Sequence, residues 1–151
     1  STPMLERAQK NLQDSGLSPV VCWINEDICE TKINNASLVI LNYTLQFIPL
    51  KSRDILVKTI AKGLLAGGAL LLSEKVSFNS EAIDAEMNEL YHSFKSANGY
   101  SDLEISQKRA ALENVLVRES IDVHMQRLQS SFSTVVPMFQ SFNFVSFLAV
   151  K

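Results

Sequence analysis

The stretch SLVILNYTLQFIPLKSRDILVKTIAKGLLAGGALLLSEK (Ser37–Lys75) decides the fold class of this chain. It opens with a short apolar run, Ser37–Asn42, and closes with another, Ala69–Lys75, and both have the pattern of buried strands. Between them, Ser52–Leu65 carries apolar residues at helical spacing, and Gly67-Gly68 follows where a helix would end. A strand, a helix and a strand joined by short links predict a parallel sheet covered by helices.

The segments before this stretch predict one helix and one further strand. Ser1–Asp14 has apolar residues at helical spacing behind a serine or threonine cap, with Pro3 in the first turn. The run PVVCWI (Pro19–Ile24) is short, apolar and β-branched, which is typical of a buried strand. We therefore expect a helix followed by the first strand of the chain.

Three helices are predicted in a row after the strand that ends at Lys75. Apolar residues recur at helical spacing over residues 83–94. Ser101 and Glu104 have the spacing of a capping box that begins a second helix, and a third helix begins near Ser120. Helices over about residues 79–130, between strands, predict a helical cap inserted over one end of the sheet.

The end of the chain predicts an antiparallel hairpin. Thr134–Gln140 contains Pro137, which a central strand would not tolerate, so this strand should lie at an edge of the sheet. Phe144–Lys151 is almost entirely apolar and should lie between neighbours. Only residues 141–143 remain to join the two strands, which is too short for a crossover connection.

The composition of the 151-residue chain argues for a globular protein that does not bind nucleic acid directly. Hydrophobic residues make up 46%, enough to bury a core, and the net charge is −2 without any run of Lys or Arg. The opening STPMLERAQKNL is polar, and apolar stretches such as LLAGGALLL are too short to span a bilayer. We therefore expect a cytoplasmic protein with no signal peptide and no membrane partner.

The cysteines and histidines do not form the pattern of a metal site. Cys22 and Cys29 are not part of a CxxC motif, and His92 and His124 fall in separate helical segments. We expect two reduced thiols in or near the core, and no metal.

An α/β sheet that ends in an antiparallel hairpin is typical of S-adenosylmethionine-dependent methyltransferases, whose strand order is 3-2-1-4-5-7-6 with strand 7 antiparallel. Three segments are more specific: Asn35–Pro49, Gly63–Phe78 and, above all, FKSANGYSDLEISQKRAALENVL (Phe94–Leu116). They resemble the carboxy-S-adenosyl-L-methionine synthases. The third segment lies in the predicted cap, where ordinary methyltransferases share nothing. The resemblance runs from Ser1 to Lys151 and implies a class I methyltransferase (Rossmann-like) fold.

The resemblance also implies parts of the family's fold that this sequence does not contain. Family members begin earlier, with strand 1, a glycine-rich loop, and a strand 2 that ends in the acidic residue for the ribose. The five glycines of this chain form no GxGxxG pattern. We therefore expect a shortened or incomplete chain lacking strands 1 and 2, which by itself binds S-adenosylmethionine negligibly and is inactive.

Three residues are assigned to the cofactor by the resemblance. Asp27 and Ile28 correspond to the adenine-binding positions, where a carboxylate can accept from the exocyclic amine and a backbone N–H can donate to the ring. Asn42 ends a strand at the carboxyl edge of the sheet, and its amide suits the methionine part. The alternative is that Asp27 caps a short turn and Asn42 forms one.

Arg109 is the residue that the resemblance assigns to the carboxylate of the carboxylated cofactor, as both a binding and a catalytic group. A guanidinium binds a carboxylate through two parallel hydrogen bonds, which suits this task. The alternative is a surface ion pair, because Glu113 lies four residues on and Glu104 lies four residues before Lys108. Four residues near the strand ends stay without an assigned role: Tyr43, Phe47, Glu74 and Lys75.

The resemblance implies a transferase that makes carboxy-S-adenosyl-L-methionine from S-adenosylmethionine and prephenate and releases phenylpyruvate. The product would supply the oxyacetic acid modification of the tRNA wobble uridine through a separate enzyme, and the family is usually dimeric. Two alternatives stay open: an ordinary small-molecule methyltransferase of the same fold, or a non-catalytic fragment that dimerises through its helical cap.

Overall fold

The computed structural model of the chain describes residues 1–17, 20–112 and 115–151. These residues group into two compact units, Ser1–Lys32 and Ile33–Lys151, which are considered separately. Within the described ranges, the first unit contains one helix, and the second contains a four-stranded sheet with its helices.

The first unit contains helix α1, Thr2–Asp14, which confirms the predicted helix, with Ser1 at the N-cap position. The predicted strand Pro19–Ile24 is wrong for residues 20–24, which form no strand, and Pro19 lies outside the described residues. Val20, Val21 and Ile24 are exposed. A strand needs a neighbour to satisfy its backbone groups, and no described strand pairs with this segment.

The second unit is built on a sheet whose described strands have the order β1-β2-β4-β3. β1 (Ala36–Asn42) is parallel to β2 (Leu64–Lys75), and β4 (Phe144–Val150) is antiparallel to both β2 and β3 (Thr134–Ser141). If β1 and β2 are counted as strands 4 and 5 of the methyltransferase order, the hairpin supplies strands 6 and 7. The observed order then reads 4-5-7-6 with strand 7 antiparallel, which confirms the predicted topology.

Four α-helices and one short 3-10 helix belong to this unit within the described ranges. They are the 3-10 helix Leu45–Phe47, α2 (Leu50–Gly63), α3 (Glu81–Ala97), α4 (Asp102–Leu112) and α5 (Ile121–Gln129). Helix α3 contacts α4, whereas α5 packs against α2 and the hairpin strands. The capping box that opens α4 is confirmed, because Ser101 N donates to Glu104 Oε2 at 2.9 Å and Glu104 N donates to Ser101 Oγ at 3.3 Å.

The predicted end of α2 at Leu65 is wrong, and so is the role of Gly67-Gly68. The helix ends at Gly63, and β2 begins at Leu64 and runs through both glycines. Gly67 has a φ of +72°, and a Cβ on Gly68 would lie 2.9 Å from the carbonyl oxygen of Leu65. The two glycines therefore allow an irregularity of the strand, where its register with β1 shifts, rather than a helix end.

The strand predicted at Ser37–Asn42 is confirmed, but its burial is not. Leu38 is 51% exposed and Ile40 is 57% exposed, whereas Leu41 is buried. β1 pairs with β2 alone among the described strands, so one of its edges carries no ladder. The sequence of β1 has the pattern of an interior strand, but within the described residues only part of its apolar surface is buried.

The hairpin confirms both predictions made for the end of the chain. Ser141 pairs with Phe144, so Phe142 and Asn143 form the turn, with Phe142 at a φ of 50°. β3 lies at the edge of the described sheet, and its register shifts beside Pro137, where a ladder N–H is missing.

A buried arginine on α2 joins three segments of the second unit. Arg53 is fully buried, and its guanidinium donates to the carbonyl oxygens of Ile48 (2.8 Å), Gln46 (3.1 Å) and Val117 (3.0 Å). It also pairs with Glu119, which Arg127 of α5 binds through two nitrogens. The segment before α5 is thereby fixed to the residues that follow β1.

A buried histidine on α5 gives the fold a pH dependence. His124 is 1% exposed, and its Nδ1 has no hydrogen-bond partner among the described residues. Burial lowers the pKa of His124 to about 4 from 6.5, with the positive charges of Arg127 and Arg53 acting the same way and Glu119 acting against them. His124 is therefore protonated near pH 6.5 in the unfolded chain, whereas in the folded chain it stays neutral until the pH approaches 4.

We predict that replacing His124 with leucine makes the fold less sensitive to acid. In the original chain, the contribution of His124 to the free energy of unfolding is fully present above pH 6.5 and is lost as the pH falls towards 4. At pH 5 the loss is about 2 kcal/mol. Urea unfolding at pH 7.5 and pH 5 should show the variant gaining about that much relative to the original chain. Glu74, whose pKa is raised, acts with the opposite sign in both proteins, so the comparison removes it. Equal pH dependence of the two proteins would contradict the assignment.

Candidate active site

A cavity of about 800 Å³ lies in the second unit, at the end of the sheet where β1 and β2 finish. Its walls come from the residues after β1, the last residue of β2, helices α3 and α4, the segment before α5, and the start of β4. The residues used below are Tyr43, Lys75, Tyr91, Lys95, Arg109 and Arg118. Ligands of open α/β sheets bind at the carboxyl ends of the strands, so its position is that of a candidate active site.

A buried glutamate holds the start of the 3-10 helix, which forms the rim of the cavity. Glu74 is fully buried near the end of β2, and its carboxylate accepts the backbone N–H groups of Thr44 (3.1 Å), Leu45 (2.7 Å) and Gln46 (3.0 Å). Burial raises the pKa of Glu74 to about 7, and the three N–H donors oppose that rise. The carboxylate thus orders the start of the 3-10 helix, whose Gln46 and Phe47 line the cavity.

Aromatic rings form one wall of the cavity. Tyr91 on α3 contacts Phe144 on β4 edge to face, with ring centroids 4.9 Å apart, and Phe144 contacts Tyr43 in the same way at 5.6 Å. Tyr43 has a φ of 53° directly after β1, and its N–H donates to the carbonyl oxygen of Ser73 at 2.8 Å. The turn at Tyr43 thus starts where β1 leaves the sheet, and the wall suits a flat ring.

Five lysine and arginine side chains also line the cavity: Lys75, Lys95, Lys108, Arg109 and Arg118. Asp84 neutralises Arg118 through two hydrogen bonds of 2.9 Å. Lys75 and Lys95 lie over the ring of Tyr91, with Nζ 5.6 and 4.6 Å from its centroid. A half-enclosed space with this charge attracts anions.

The charges in the cavity act on one another. Burial lowers the pKa of Lys75, and the nearby cations Arg118, Lys95 and Arg109 lower it further, while Asp84 works against them. Burial also lowers the pKa of Lys95, as do Lys108 and Arg109. The positive charge of Arg109 thus acts on the pKa of both ammonium groups.

Known proteins resemble the chain over its whole length. It is 50% identical, over 153 residues, to a carboxy-S-adenosyl-L-methionine synthase from Trichlorobacter lovleyi, and 48% identical, over 152 residues, to one from Shewanella denitrificans. The chain is a homologue of carboxy-S-adenosyl-L-methionine synthases. It spans 63% of the length of these two relatives. No protein-family model matches the chain.

Solved structures show the fold independently of these synthases. An O-methyltransferase family protein from Burkholderia thailandensis superposes with a TM-score of 0.67, over 97% of this chain and 40% of that one, at 14% identity. At that identity the likeness concerns the fold alone. The class I methyltransferase fold inferred from the hairpin is therefore confirmed.

The structure places Arg109, which the sequence resemblance assigns to the carboxylate, on α4 as an exposed residue that lines the cavity. One part of the surface-pair alternative is wrong: Glu104 holds Ser101 in the capping box, and no ion pair joins it to Lys108 in the described part of the chain. The other proposed partner, Glu113, lies outside the described residues.

The three cofactor positions assigned from the synthases are divided between the two units. Asp27 and Ile28 belong to the first, where Asp27 Oδ1 accepts the N–H of Cys29 at 2.8 Å and so caps its own turn, as the alternative expects. Its second oxygen, Oδ2, accepts no hydrogen bond from the described residues. Asn42 is the exposed last residue of β1 in the second unit, directly before Tyr43 of the cavity wall.

Tyr91, Lys95 and Arg118 were not assigned to the site from the sequence. Tyr91 belongs to the apolar stripe of α3, which indicates packing, and Lys95 is four residues on, on the same helical face. That spacing of an aromatic ring and a cation is a usable signal, but it is common on helix surfaces. Arg118 lies in the irregular segment before α5, where no periodicity marks it.

Three further observations concern the described residues as a whole. Cys22 and Cys29, predicted in or near the core, are both exposed. Among residues 1–17, 20–112 and 115–151, no three His, Cys, Asp or Glu side chains are grouped as a metal site would need. No helix in these ranges has the length and hydropathy needed to cross a membrane.

Proposed function

We propose that the full protein synthesises carboxy-S-adenosyl-L-methionine from S-adenosylmethionine and prephenate, releasing phenylpyruvate. The product would supply the oxyacetic acid modification of the tRNA wobble uridine through a separate enzyme. The names of the relatives support the reaction, and the cavity of the second unit supports the kind of substrate. The proposal includes a cytoplasmic homodimer that does not bind tRNA itself.

The main support for the proposal is that five positively charged side chains and an aromatic wall line the same cavity. Prephenate has one carboxylate on a six-membered ring and a second on the oxopropanoate side chain of that ring, so it matches both features. A methyltransferase acting on a neutral molecule would gain nothing from concentrating this charge, because mutual repulsion of the cations costs stability without a ligand.

The proposed reaction balances in its atoms. Aromatisation of prephenate breaks the bond to its ring carboxylate and the bond to its ring hydroxyl, and so yields phenylpyruvate, carbon dioxide and hydroxide. The hydroxide takes a proton from the sulfonium methyl of S-adenosylmethionine and leaves as water. The resulting carbanion bonds to the carbon dioxide, which a closed site keeps from escaping.

We assign Asp27 and Ile28 to the adenine, Asn42 to the methionine part, and Arg109 to the transferred carboxylate. The guanidinium of Arg109 would stabilise the carboxylate as it forms, so the proposed chemistry calls for no metal. We also propose that residues 1–151 are part of one methyltransferase-fold domain, with a helical insertion at about 79–130.

The experiment that tests the proposal is the mass of the cofactor product. Full-length protein is incubated with S-adenosylmethionine and prephenate, and the product should be heavier than S-adenosylmethionine by one carbon dioxide unit. Formation of S-adenosylhomocysteine with a methylated acceptor would instead indicate an ordinary methyltransferase. Failure to retain S-adenosylmethionine at all would indicate a non-catalytic module.

We predict that replacing Asp27 with alanine weakens S-adenosylmethionine binding by the full-length protein about tenfold, because one hydrogen bond to a charged acceptor is lost. Calorimetric titration gives the dissociation constant, and Asp14→Ala, at the exposed end of α1, is the control. Asp27→Asn keeps an acceptor for the Cys29 N–H but replaces the second oxygen with a donor. Weaker binding by both Asp27 variants supports the adenine role, whereas a loss confined to alanine supports turn capping.

A further inference from the structure

The cavity holds more positive charge than the transferred carboxylate requires. Glu89 is the only carboxylate among its described lining residues, and Asp84 already neutralises Arg118. Arg109 is assigned to the carboxylate that is transferred. The ammonium groups of Lys75, Lys95 and Lys108 remain to be explained, and two of them, those of Lys75 and Lys95, lie over the ring of Tyr91.

These two lysines lie over the same ring of the aromatic wall. Lys75 is half-buried as the last residue of β2, with its Nζ 5.6 Å from the ring centroid of Tyr91 and 5.9 Å from that of Phe144. Lys95 reaches the same Tyr91 ring from α3, at 4.6 Å. Among the described residues, neither Nζ has a carboxylate partner or a hydrogen bond, so the rings are its observed contacts.

Lys75 and Lys95 are partly buried over one ring and have no carboxylate partner among the described residues, so a bound anion would compensate their charge. A cation over an aromatic ring gains roughly 0.5–2 kcal/mol, which is less than a half-buried ion pair can supply. The end of β2 and one face of α3 bring these two ammonium groups to the same ring. A ligand with a carboxylate beside a six-membered ring would contact both the lysines and the wall.

We propose that Lys75 and Lys95 bind the carboxylate that the donor keeps, namely the carboxylate of its oxopropanoate side chain, while Tyr91 and Phe144 contact its ring. This inference rests on the proposed function, in which one carboxylate of prephenate leaves as carbon dioxide and the other stays on the product. It divides the cavity into a part for the transferred carboxylate, at Arg109, and a part for the retained one.

The assignment is tested by binding of two ring compounds that differ in the retained carboxylate. Phenylpyruvate carries it, and phenylacetone has a methyl group in its place. Full-length protein loaded with S-adenosylmethionine should bind phenylpyruvate at least tenfold more tightly than phenylacetone, because the charged contact is lost in the ketone. Lys75→Met and Lys95→Met should each remove most of this preference and leave phenylacetone binding nearly unchanged.

The variants also separate the two lysines from the rest of the site. Each should raise the KM for prephenate about tenfold, leave S-adenosylmethionine binding unchanged, and still form carboxy-S-adenosyl-L-methionine. Lys58→Met, on the exposed face of α2, is the matched control and should behave as the original protein. Lys75→Arg should recover part of the preference for phenylpyruvate, since the charge is retained.

The failure of this inference is distinguishable from failure of the proposed function. If the original protein forms no carboxy-S-adenosyl-L-methionine, the proposed function is wrong. If that product forms but the lysine variants keep the full preference for phenylpyruvate over phenylacetone, the lysine assignment is overturned. Equal weakening of phenylpyruvate and phenylacetone would also overturn it, because it would mean a general loss of cavity structure.

Discussion

Replacing Arg53 with leucine is expected to lower the free energy of unfolding by about 3 to 5 kcal/mol, the range for a buried charge pair that loses one partner. The loss has two parts. The carbonyl oxygens of Gln46, Ile48 and Val117 lose a buried donor, and Glu119 keeps only Arg127. Leucine fills much of the space but can satisfy none of these groups.

Urea unfolding measures this effect, provided that the m-value is unchanged, so that the change in midpoint reports stability. Lys58→Leu is the matched control, because Lys58 lies on the exposed face of the same helix. Arg53→Lys should recover part of the stability, since one ammonium cannot reach three carbonyls and a carboxylate together. A loss below about 1 kcal/mol for Arg53→Leu would mean that the network adds little.

Arg109→Leu is expected to weaken binding of the carboxylated cofactor by about thirtyfold or more, and to change S-adenosylmethionine binding little. Breaking one side of a charge pair that ligand binding buries costs about 2–5 kcal/mol, and only the carboxylated cofactor would form that pair with Arg109. The two dissociation constants are measured on full-length protein by calorimetry. Arg109→Lys should restore part of the selectivity, since a point charge replaces a planar fork.

The surface-pair alternative for Arg109 predicts a different result. It gives a stability loss of only about 0.3–0.5 kcal/mol from a helix pair, and equal binding of both cofactors. Arg7→Leu, on the exposed side of α1, controls for the loss of one positive charge. Equal losses for the two ligands in Arg109→Leu would place the carboxylate elsewhere in the cavity.

The sequence predicts those parts of this fold that depend on local pattern. The parallel pair follows from two apolar runs around a helical period, and Pro137 predicts the edge strand. The strand predicted at 19–24 is wrong for its described residues because strand formation depends on a neighbour, which a local pattern cannot supply. The end of α2 is misplaced because Gly67 resembles a helix terminator, whereas its positive φ serves an irregular strand.

The candidate site is less accessible to sequence reasoning than the fold. Arg109 is assigned by resemblance, since a lone arginine on a helix has the pattern of a surface residue. Tyr91 and Lys95 carry a helical spacing that equally suits packing, and only the fold shows that β4 places Phe144 against Tyr91. Lys75 becomes a candidate because β2 ends at the cavity, a fact of topology rather than of composition.

The glutamate at the end of β2 also determines how the rim of the cavity can open. The amides of Thr44, Leu45 and Gln46 have their acceptor 28 to 30 residues further along the chain, on the neighbouring strand. Release of these amides breaks their hydrogen bonds to a buried carboxylate, and Glu74 is part of the strand that pairs with both β1 and β4. We therefore expect the rim to open together with the sheet rather than as an independent loop, with amide protection that follows that of β2.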